Sequence, residues 1–403
     1  MTRAPSKGRG YPTPSMARVE KPYRVYKGGR VKGKVPLERP QRQPRRAGQA
    51  PEQPRIRRRR RRWSWKKRIA VGLLGLILLM IVWAVIGFIQ FRQGVKGANK
   101  RLPANVGAAL DKQNGLLLSK PTTILLLGSD HVNNDQRATL NHSDSIMLLR
   151  TNPSRHRLAY LSIPRDLRVE IPGYGEQKIN AAMQIGGPAL AVRTIEHFTG
   201  LRINHVMFVD FLAFKDLIDN IGGIDVNVPE PILSNPFDCP YDVQRCRTWK
   251  GWRFGKGWQH MDGRRALIYS RIRENELNPA DSDITRAERQ QEVLRATLRK
   301  LLGIGTYFKL PFDGNTLVKP LTTDLSAWQF VQLGWVLKRA PADKALHCRL
   351  GGTGDPSGSS DIVPSEDNIA VVQMVTGAAA PQPPRPGSGP FGPGCIVGNR
   401  TLR

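Results

Sequence analysis

The feature that most constrains this chain is Ile69–Ile89, a run of 21 residues without a single charge. At about 1.5 Å of rise per helical residue it is long enough to cross a hydrocarbon layer of roughly 30 Å. A cleaved export signal is a poor fit: the run is too long, it starts far from Met1, and no clear small-residue cleavage pattern follows. A retained single-pass helix over 69–90 is expected. Its flanks give the orientation. The basic run Arg57–Arg62 and then Lys66, Lys67 and Arg68 precede it, whereas Gln90–Lys100 carries three bases. The positive-inside bias leaves the N-terminus cytoplasmic and the chain after about residue 91 outside the cell membrane. Trp63 and Trp65 suit the interfacial level.

Charge is just as uneven. Residues 1–68 hold 24 Lys and Arg against three acids, which accounts for about two thirds of the net charge of +31. Rich in Pro and Gly and poor in apolar residues, this stretch reads as a disordered basic tail. Beside an anionic leaflet, lipid headgroups are a simpler partner for it than nucleic acid. No helix-turn-helix pattern supports a regulator, so no nucleic-acid partner is expected. Gly28–Lys34 imitates a phosphate-binding loop, but Val35 stands where a Ser or Thr is needed and no strand precedes it.

Past a polar connector, 91–120, the patterning becomes globular. Thr123–Leu127, Ser145–Leu149, Leu158–Ile163, Val206–Phe211 and Ile224–Val228 read as strands. Asn180–Phe198, Leu212–Ile221, Gly263–Arg271, Thr285–Leu302 and Ala327–Lys338 read as helices. Alternating strands and helices predict an α/β sandwich with helices on the sheet faces. The expected main domain is 121–305, with an extension packed on it over 306–378 and a Pro/Gly-rich tail over 379–403. Residues 230–260 read as a long irregular loop. Four cysteines have no metal-ligand spacing. Outside the membrane, Cys239 with Cys246 and Cys348 with Cys395 are plausible disulfides, beside the simpler reading of idle thiols. Seven scattered His offer no zinc pattern, and the sequons at Asn141 and Asn399 are of a kind that arises often by chance.

The chemistry-bearing residues cluster at strand ends. Asp130 follows the first strand and Asp144 opens the second, with Arg137 on the loop between them. Two carboxylates beside a phosphate suit a hard divalent cation, Mg²⁺ or Mn²⁺, which takes oxygen ligands. Turn and strand capping is the competing account of both. Arg165 and Asp166 follow the third strand, at the end where open α/β sheets bind ligands. Arg271 and Arg273, then Arg286, Arg289 and Gln290, come later. On a helix, Arg286 and Arg289 share one face, and guanidinium forks match phosphate oxygens. Singly, each arginine is more often a solvated surface charge.

These segments together resemble the LytR-CpsA-Psr family of cell-wall glycopolymer transferases over about Thr123–Lys300. The resemblance is carried by TTILLLGSD, SDSIMLLRTNP, LAYLSIPRDLRVEIPGYGEQKINAAMQIGGP and HVMFVDFLAFKDLIDNIGGIDVNVP. It continues through MDGRRALIYSRIRE and SDITRAERQQEVL. It implies a three-layer α/β/α sandwich with a central mixed sheet enclosing an apolar channel for a polyprenyl chain. It also implies Mg²⁺ on Asp130 and Asp144, and Arg137 and Arg165 lining a phosphate pocket with Asp166 next in the motif. Arg271 and Arg273 match an Arg-x-Arg segment; Asp283, Arg286, Arg289 and Gln290 match a helix-start motif. The loop after Asp130 is longer than the family pattern.

The implied reaction transfers a glycopolymer from polyprenyl pyrophosphate to a peptidoglycan hydroxyl, releasing polyprenyl phosphate. Arg165, Asp166, Arg271, Arg273 and Arg286 are the expected catalytic residues, Asp166 as a candidate base. Arg137, Arg289 and Gln290 are expected to bind pyrophosphate. A lipid pyrophosphatase and a non-catalytic polymer-binding scaffold are the alternatives.

Overall fold

Leu125 and Leu127 of the first strand enter one apolar cluster, while Ile124 and Leu126 join another on the opposite side. A strand covered on both faces needs an unbroken apolar run, which is why TILLL does not alternate. In this computed structural model, residues 64–112, 115–129, 145–237, 239–278, 283–389 and 391–398 are described. Residues 1–63 of the basic tail, Asp130, Arg137, Asp144, Asn141 and Asn399 lie outside them.

The central sheet comprises Thr122–Ser129 (β1), Ser145–Asn152 (β2), Arg157–Ile163 (β3), His205–Asp210 (β4), Leu321–Thr323 (β5), Leu346–Arg349 (β6) and Gly394–Val397 (β7). Its order is β5-β4-β1-β2-β3-β6-β7. The strand β1 runs parallel to β4 and antiparallel to β2, and β3 runs antiparallel to β2 and parallel to β6. Thus β1, β3, β4 and β6 point one way, and the sheet is mixed.

The principal helices are Trp65–Lys100 (α1), Ala181–Thr199 (α2), Phe211–Asn220 (α3), Gly263–Arg271 (α4), Asp283–Leu301 (α5), Ile304–Asp313 (α6), Ala327–Arg339 (α7) and Asp367–Thr376 (α8). Leu190 and Ile195 of α2 and Val371 and Met374 of α8 cover one sheet face. Leu294 of α5 and Leu333 and Val336 of α7 cover the other. This is the expected three-layer sandwich. A further cluster joins Val95 and Ala98 of α1 to Ile218 of α3, Ile268 of α4 and Val293 of α5.

Helix α1 is long and apolar enough to cross a membrane, by length and composition. It then continues without a break through Lys100, where a connector was expected. Asn99 Nδ2 donates to the carbonyls of Thr323 (2.6 Å) and Leu325 (3.0 Å), fastening the helix end to the domain.

Other expectations need correction. The region 230–260 is not an irregular loop. Ile232–Leu233 pairs with Arg253–Phe254, Val243–Thr248 is helical, and Gly257–Met261 pairs with Ile224–Val228. These pieces are too short to show periodicity, and buried Ile232 and Phe254 hold them. Residues 379–403 are not simply a tail, because β7 lies there as a sheet edge. Cys348 and Cys395 are register partners on β6 and β7 and form a disulfide, as do Cys239 and Cys246. Three of the seven strands lie beyond residue 305, so the sheet runs through the expected boundary. Helix α2 is interrupted at Gly186–Gly187, ahead of Pro188. Phe211 starts α3 rather than ending a strand, because Asp210 Oδ1 accepts a 2.8 Å bond from Ala213 N and caps the helix.

Candidate active site

Strand direction brings Arg165 and Asp166 to the end of the sheet where β1 closes and β2 begins. The same end receives the carboxyl termini of β1, β3, β4 and β6 and the start of β2. Gly128 is the register partner of Ser145, so positions 130 and 144 follow and precede adjacent, paired strand ends. Arg165 and Asp166 come just after β3. This is the crevice in which open α/β sheets bind ligands.

Three successive residues of α5 fasten that helix to the segments bearing the other candidates. Arg289 donates from Nη2 to the Ile272 carbonyl at 2.6 Å, tying α5 to the residue between Arg271 and Arg273. Gln290 Oε1 accepts from Ser145 Oγ at 2.8 Å, at the start of β2. Gln291 Nε2 donates to Ser162 Oγ at 2.7 Å, near the end of β3 and three residues before Arg165. Arg286 and Arg289, whose spacing predicts a shared face of α5, are both buried. Arg271 lies at the end of α4 with its guanidinium carbon 5.9 Å from the Phe237 ring centroid. Arg273 is exposed in the segment that follows.

Beside this end lies an apolar cavity of about 320 Å³. Gly128, Ser145 and Gln290 line it at the carboxyl end of β1, and Met147, Leu298 and Leu333 line its walls. Where α1 meets α6 its lining is Phe91, Thr306 and Leu310. Such an apolar wall suits an aliphatic chain, and Ser145 and Gln290 are polar residues of its lining at the β1 end.

Arg165 and Asp166 sit in a small charge cluster. Arg165 Nε is 3.4 Å from Asp166 Oδ2, and Lys178 Nζ is 3.0 Å from Asp166 Oδ1 and 3.3 Å from Asp361 Oδ1. Burial works to lower the Lys178 pKa, but its bonds to Asp166 and Asp361 outweigh that and raise it. The Asp166 carboxylate is therefore engaged by two cations.

Behind α5 is a buried polar chain that sequence reasoning missed. Gln291 Oε1 is 2.7 Å from His347 Nδ1, and His347 Nε2 is 3.2 Å from Arg295 Nη1. Arg295 in turn pairs with Glu292. Burial, aided by Arg295, depresses the His347 pKa to about 3, so the ring is neutral. It stacks on Tyr160 at 5.2 Å between centroids. The missed residues include Ser145, Lys178 and Asp361 as well. Only Ser145 carried a signal, through its place beside Asp144 in SDSIMLL; Asp361 is remote in sequence.

Among the described residues no group of three or more His, Cys, Asp or Glu could hold a metal ion. Asp130 and Asp144, the expected Mg²⁺ ligands, lie outside the described residues; as a pair of carboxylates they are hard oxygen donors of the kind Mg²⁺ takes.

Comparison with known proteins bears on the family and the fold. The LytR_cpsA_psr family model matches residues 91–375. A polyisoprenyl-teichoic acid–peptidoglycan teichoic acid transferase, TagU of Bacillus mycoides, is 32% identical over 240 residues, covering 58% of this chain and 72% of its own. The structure of TagV from B. subtilis superposes with a TM-score of 0.52 at 27% identity, covering 64% of this chain and 97% of that one. A structure of TagT bound to LI-WTA gives a TM-score of 0.51 at 25% identity, covering 66% and 93%.

Proposed function

This chain belongs to the LytR-CpsA-Psr family, and on that premise we propose that it transfers a glycopolymer from a polyprenyl-pyrophosphate carrier to peptidoglycan. The observation that carries the reading is the apolar cavity ending at Ser145 and Gln290, on the helix that also bears Arg286 and Arg289. The relatives support it by name: TagU is a teichoic acid transferase to peptidoglycan, and TagT was solved with LI-WTA.

In this mechanism the prenyl tail lies in the cavity and the pyrophosphate at its polar end. A peptidoglycan hydroxyl attacks the sugar-side phosphorus. A new P–O bond forms, the bridging P–O bond to the prenyl-side phosphate breaks, and polyprenyl phosphate leaves with the electron pair. The hydroxyl proton passes to a base in the crevice. Such a transfer needs positioning and charge stabilisation more than covalent help from the protein. Arg271, Arg273 and Arg286 neutralise the phosphate oxygens; Arg289, which also holds the Ile272 carbonyl, Gln290 and Arg137 orient them. Asp166, already engaged by Arg165 and Lys178, holds Arg165 in place rather than removing the proton. Asp130 and Asp144 would hold Mg²⁺, which when bound supplies further charge neutralisation at the pyrophosphate.

The reaction belongs outside the cell, with α1 as a single-pass anchor and the basic tail in the cytoplasm. Two disulfides suit an oxidising compartment, and the basic flank sets the orientation. The test is transfer in vitro with the full chain in detergent, peptidoglycan fragments and a panel of lipid-linked donors, with and without Mg²⁺. Phosphodiester-linked product from at least one donor supports the reading. Donor binding without turnover under any of these conditions overturns it.

A further inference from the structure

The short helix α6 was not visible in the sequence, and it lies where a soluble domain would not put one. Tyr307 Oη donates to the Met80 carbonyl at 2.9 Å, and the Phe312 ring packs edge-on to Trp83 at 5.5 Å. Both partners are inside the charge-free run of α1. A glycine makes this approach: a Cβ on Gly87 would come within 2.9 Å of Leu310 Cβ, and just beyond α6 one on Gly94 would come within 2.7 Å of the Asn315 carbonyl. Small residues at a helix contact are how helices come close within a bilayer.

The depth follows from α1. If Ile69–Ile89 spans the hydrocarbon, Met80–Ile89 covers about 15 Å of it, the outer half. A helix packed against Met80, Trp83 and Gly87 then sits within the outer leaflet. Its composition agrees. Ile304, Phe308 and Phe312 recur every four residues on one stripe and are 77%, 53% and 71% exposed. The opposite side carries buried Thr306 and cavity-lining Leu310. Lys309 donates from Nζ to the Asn220 carbonyl at 3.0 Å, and Asp313 stands at the far end of the helix. On α7, Trp328 and Trp335 are 58% and 55% exposed on one stripe, and the Arg339 guanidinium lies 5.9 Å from the Trp335 ring. Phe330 of α7 packs edge-on against Phe91 at 5.7 Å, just past the span, which puts those indoles at headgroup level. Tryptophan and arginine are the residues that favour that level.

We infer that α6, flanked by the indoles of α7, is a second membrane-embedded element that inserts into the outer leaflet and places the cavity between α1 and α6 in contact with lipid. A prenyl tail then passes from the bilayer into the cavity beside Phe91, Thr306 and Leu310 without crossing water. The inference rests on α1 being the anchor and the cavity the prenyl site.

The test is collisional accessibility of nitroxide labels in the full chain, reconstituted in phosphatidylcholine–phosphatidylglycerol vesicles. The labels sit on Phe308→Cys and Phe312→Cys, with Leu78→Cys in α1 and Ile369→Cys on α8, which covers the sheet face opposite α5 and α7, as references. All four positions are exposed. The inference expects the labels at 308 and 312 to behave like 78, with several-fold higher collision with oxygen than with a water-soluble nickel chelate. Labels at 308 and 312 that match 369, while 78 remains in lipid, overturn the inference and leave the transferase reading standing. A label at 78 that is itself in water overturns the anchor and the inference together.

Discussion

Ser145 Oγ donates a 2.8 Å hydrogen bond to Gln290 Oε1, fastening the first residue of β2 to α5 at the polar end of an apolar cavity. The bond holds the Gln290 amide beside Gly128, where the pyrophosphate is proposed to lie. Ser145→Ala frees that amide and should cost about 1 kcal/mol of transition-state stabilisation, roughly fivefold in kcat. Gln290→Ala should cost more, because it removes the group itself. Steady-state transfer kinetics check both.

Arg271→Ala and Arg286→Ala should each lower kcat/KM by about a hundredfold, near 3 kcal/mol, if they face charge that builds on phosphate oxygens. Lysine at Arg271 should restore part of the loss, since charge survives there without the planar fork. Chelation should abolish transfer, with Mg²⁺ or Mn²⁺ restoring it. Asp130→Asn and Asp144→Asn should raise the metal concentration required.

Leu298→Trp fills part of the cavity wall with an indole. It should raise KM for a long-chain prenyl donor and leave a short-chain donor little affected. Equal KM changes for the two donors would show that the tail lies elsewhere.

His347 gives a pH dependence. Its ring is buried and neutral in the fold, with a pKa depressed to about 3 from 6.5. Below 6.5 the unfolded chain binds a proton that the folded chain refuses, so this contribution is complete above pH 6.5 and is lost as the pH falls towards 3. The loss should reach on the order of a few kcal/mol. Thermal melts in detergent from pH 7 to pH 4 should show His347→Gln flattening the acid-side decline relative to the parent.

The Cys348–Cys395 bond closes a segment of 47 residues and pins the edge strand β7 to β6. Loop-closure entropy assigns such a cross-link about 4 kcal/mol, against about 2.5 kcal/mol for Cys239–Cys246, which closes seven. Melting temperatures of Cys348→Ser/Cys395→Ser and Cys239→Ser/Cys246→Ser should therefore fall in that order.

The strands β1, β2 and β3 were legible in the sequence because both their faces are buried and their apolar runs are continuous, and Ile224–Val228 because its buried and exposed residues alternate. The edge strands β5 and β7 were not, being three and four residues long and made by pairing rather than by pattern. Helix α6 escaped because Gly305 and Pro311 obscure its period, and only its contact with α1 explains it. Helical spacing put Arg286 and Arg289 on one face of α5; that both are buried there, rather than solvated, could not be read from it. The restraint of Asp166 by Lys178, twelve residues on, depends on the pairing of the strands between them, and that of Lys178 by Asp361 joins residues far apart in sequence; neither could be read from it.

The most direct measurement of the central claim is the fate of oxygen during turnover in H₂¹⁸O with a peptidoglycan acceptor. If a hydroxyl of the acceptor attacks the sugar-side phosphorus, mass spectrometry will find a phosphodiester-linked glycan and polyprenyl phosphate, both without ¹⁸O. A glycan phosphate carrying ¹⁸O, formed at the same rate whether or not acceptor is present, would mean that water is the nucleophile and would contradict the account.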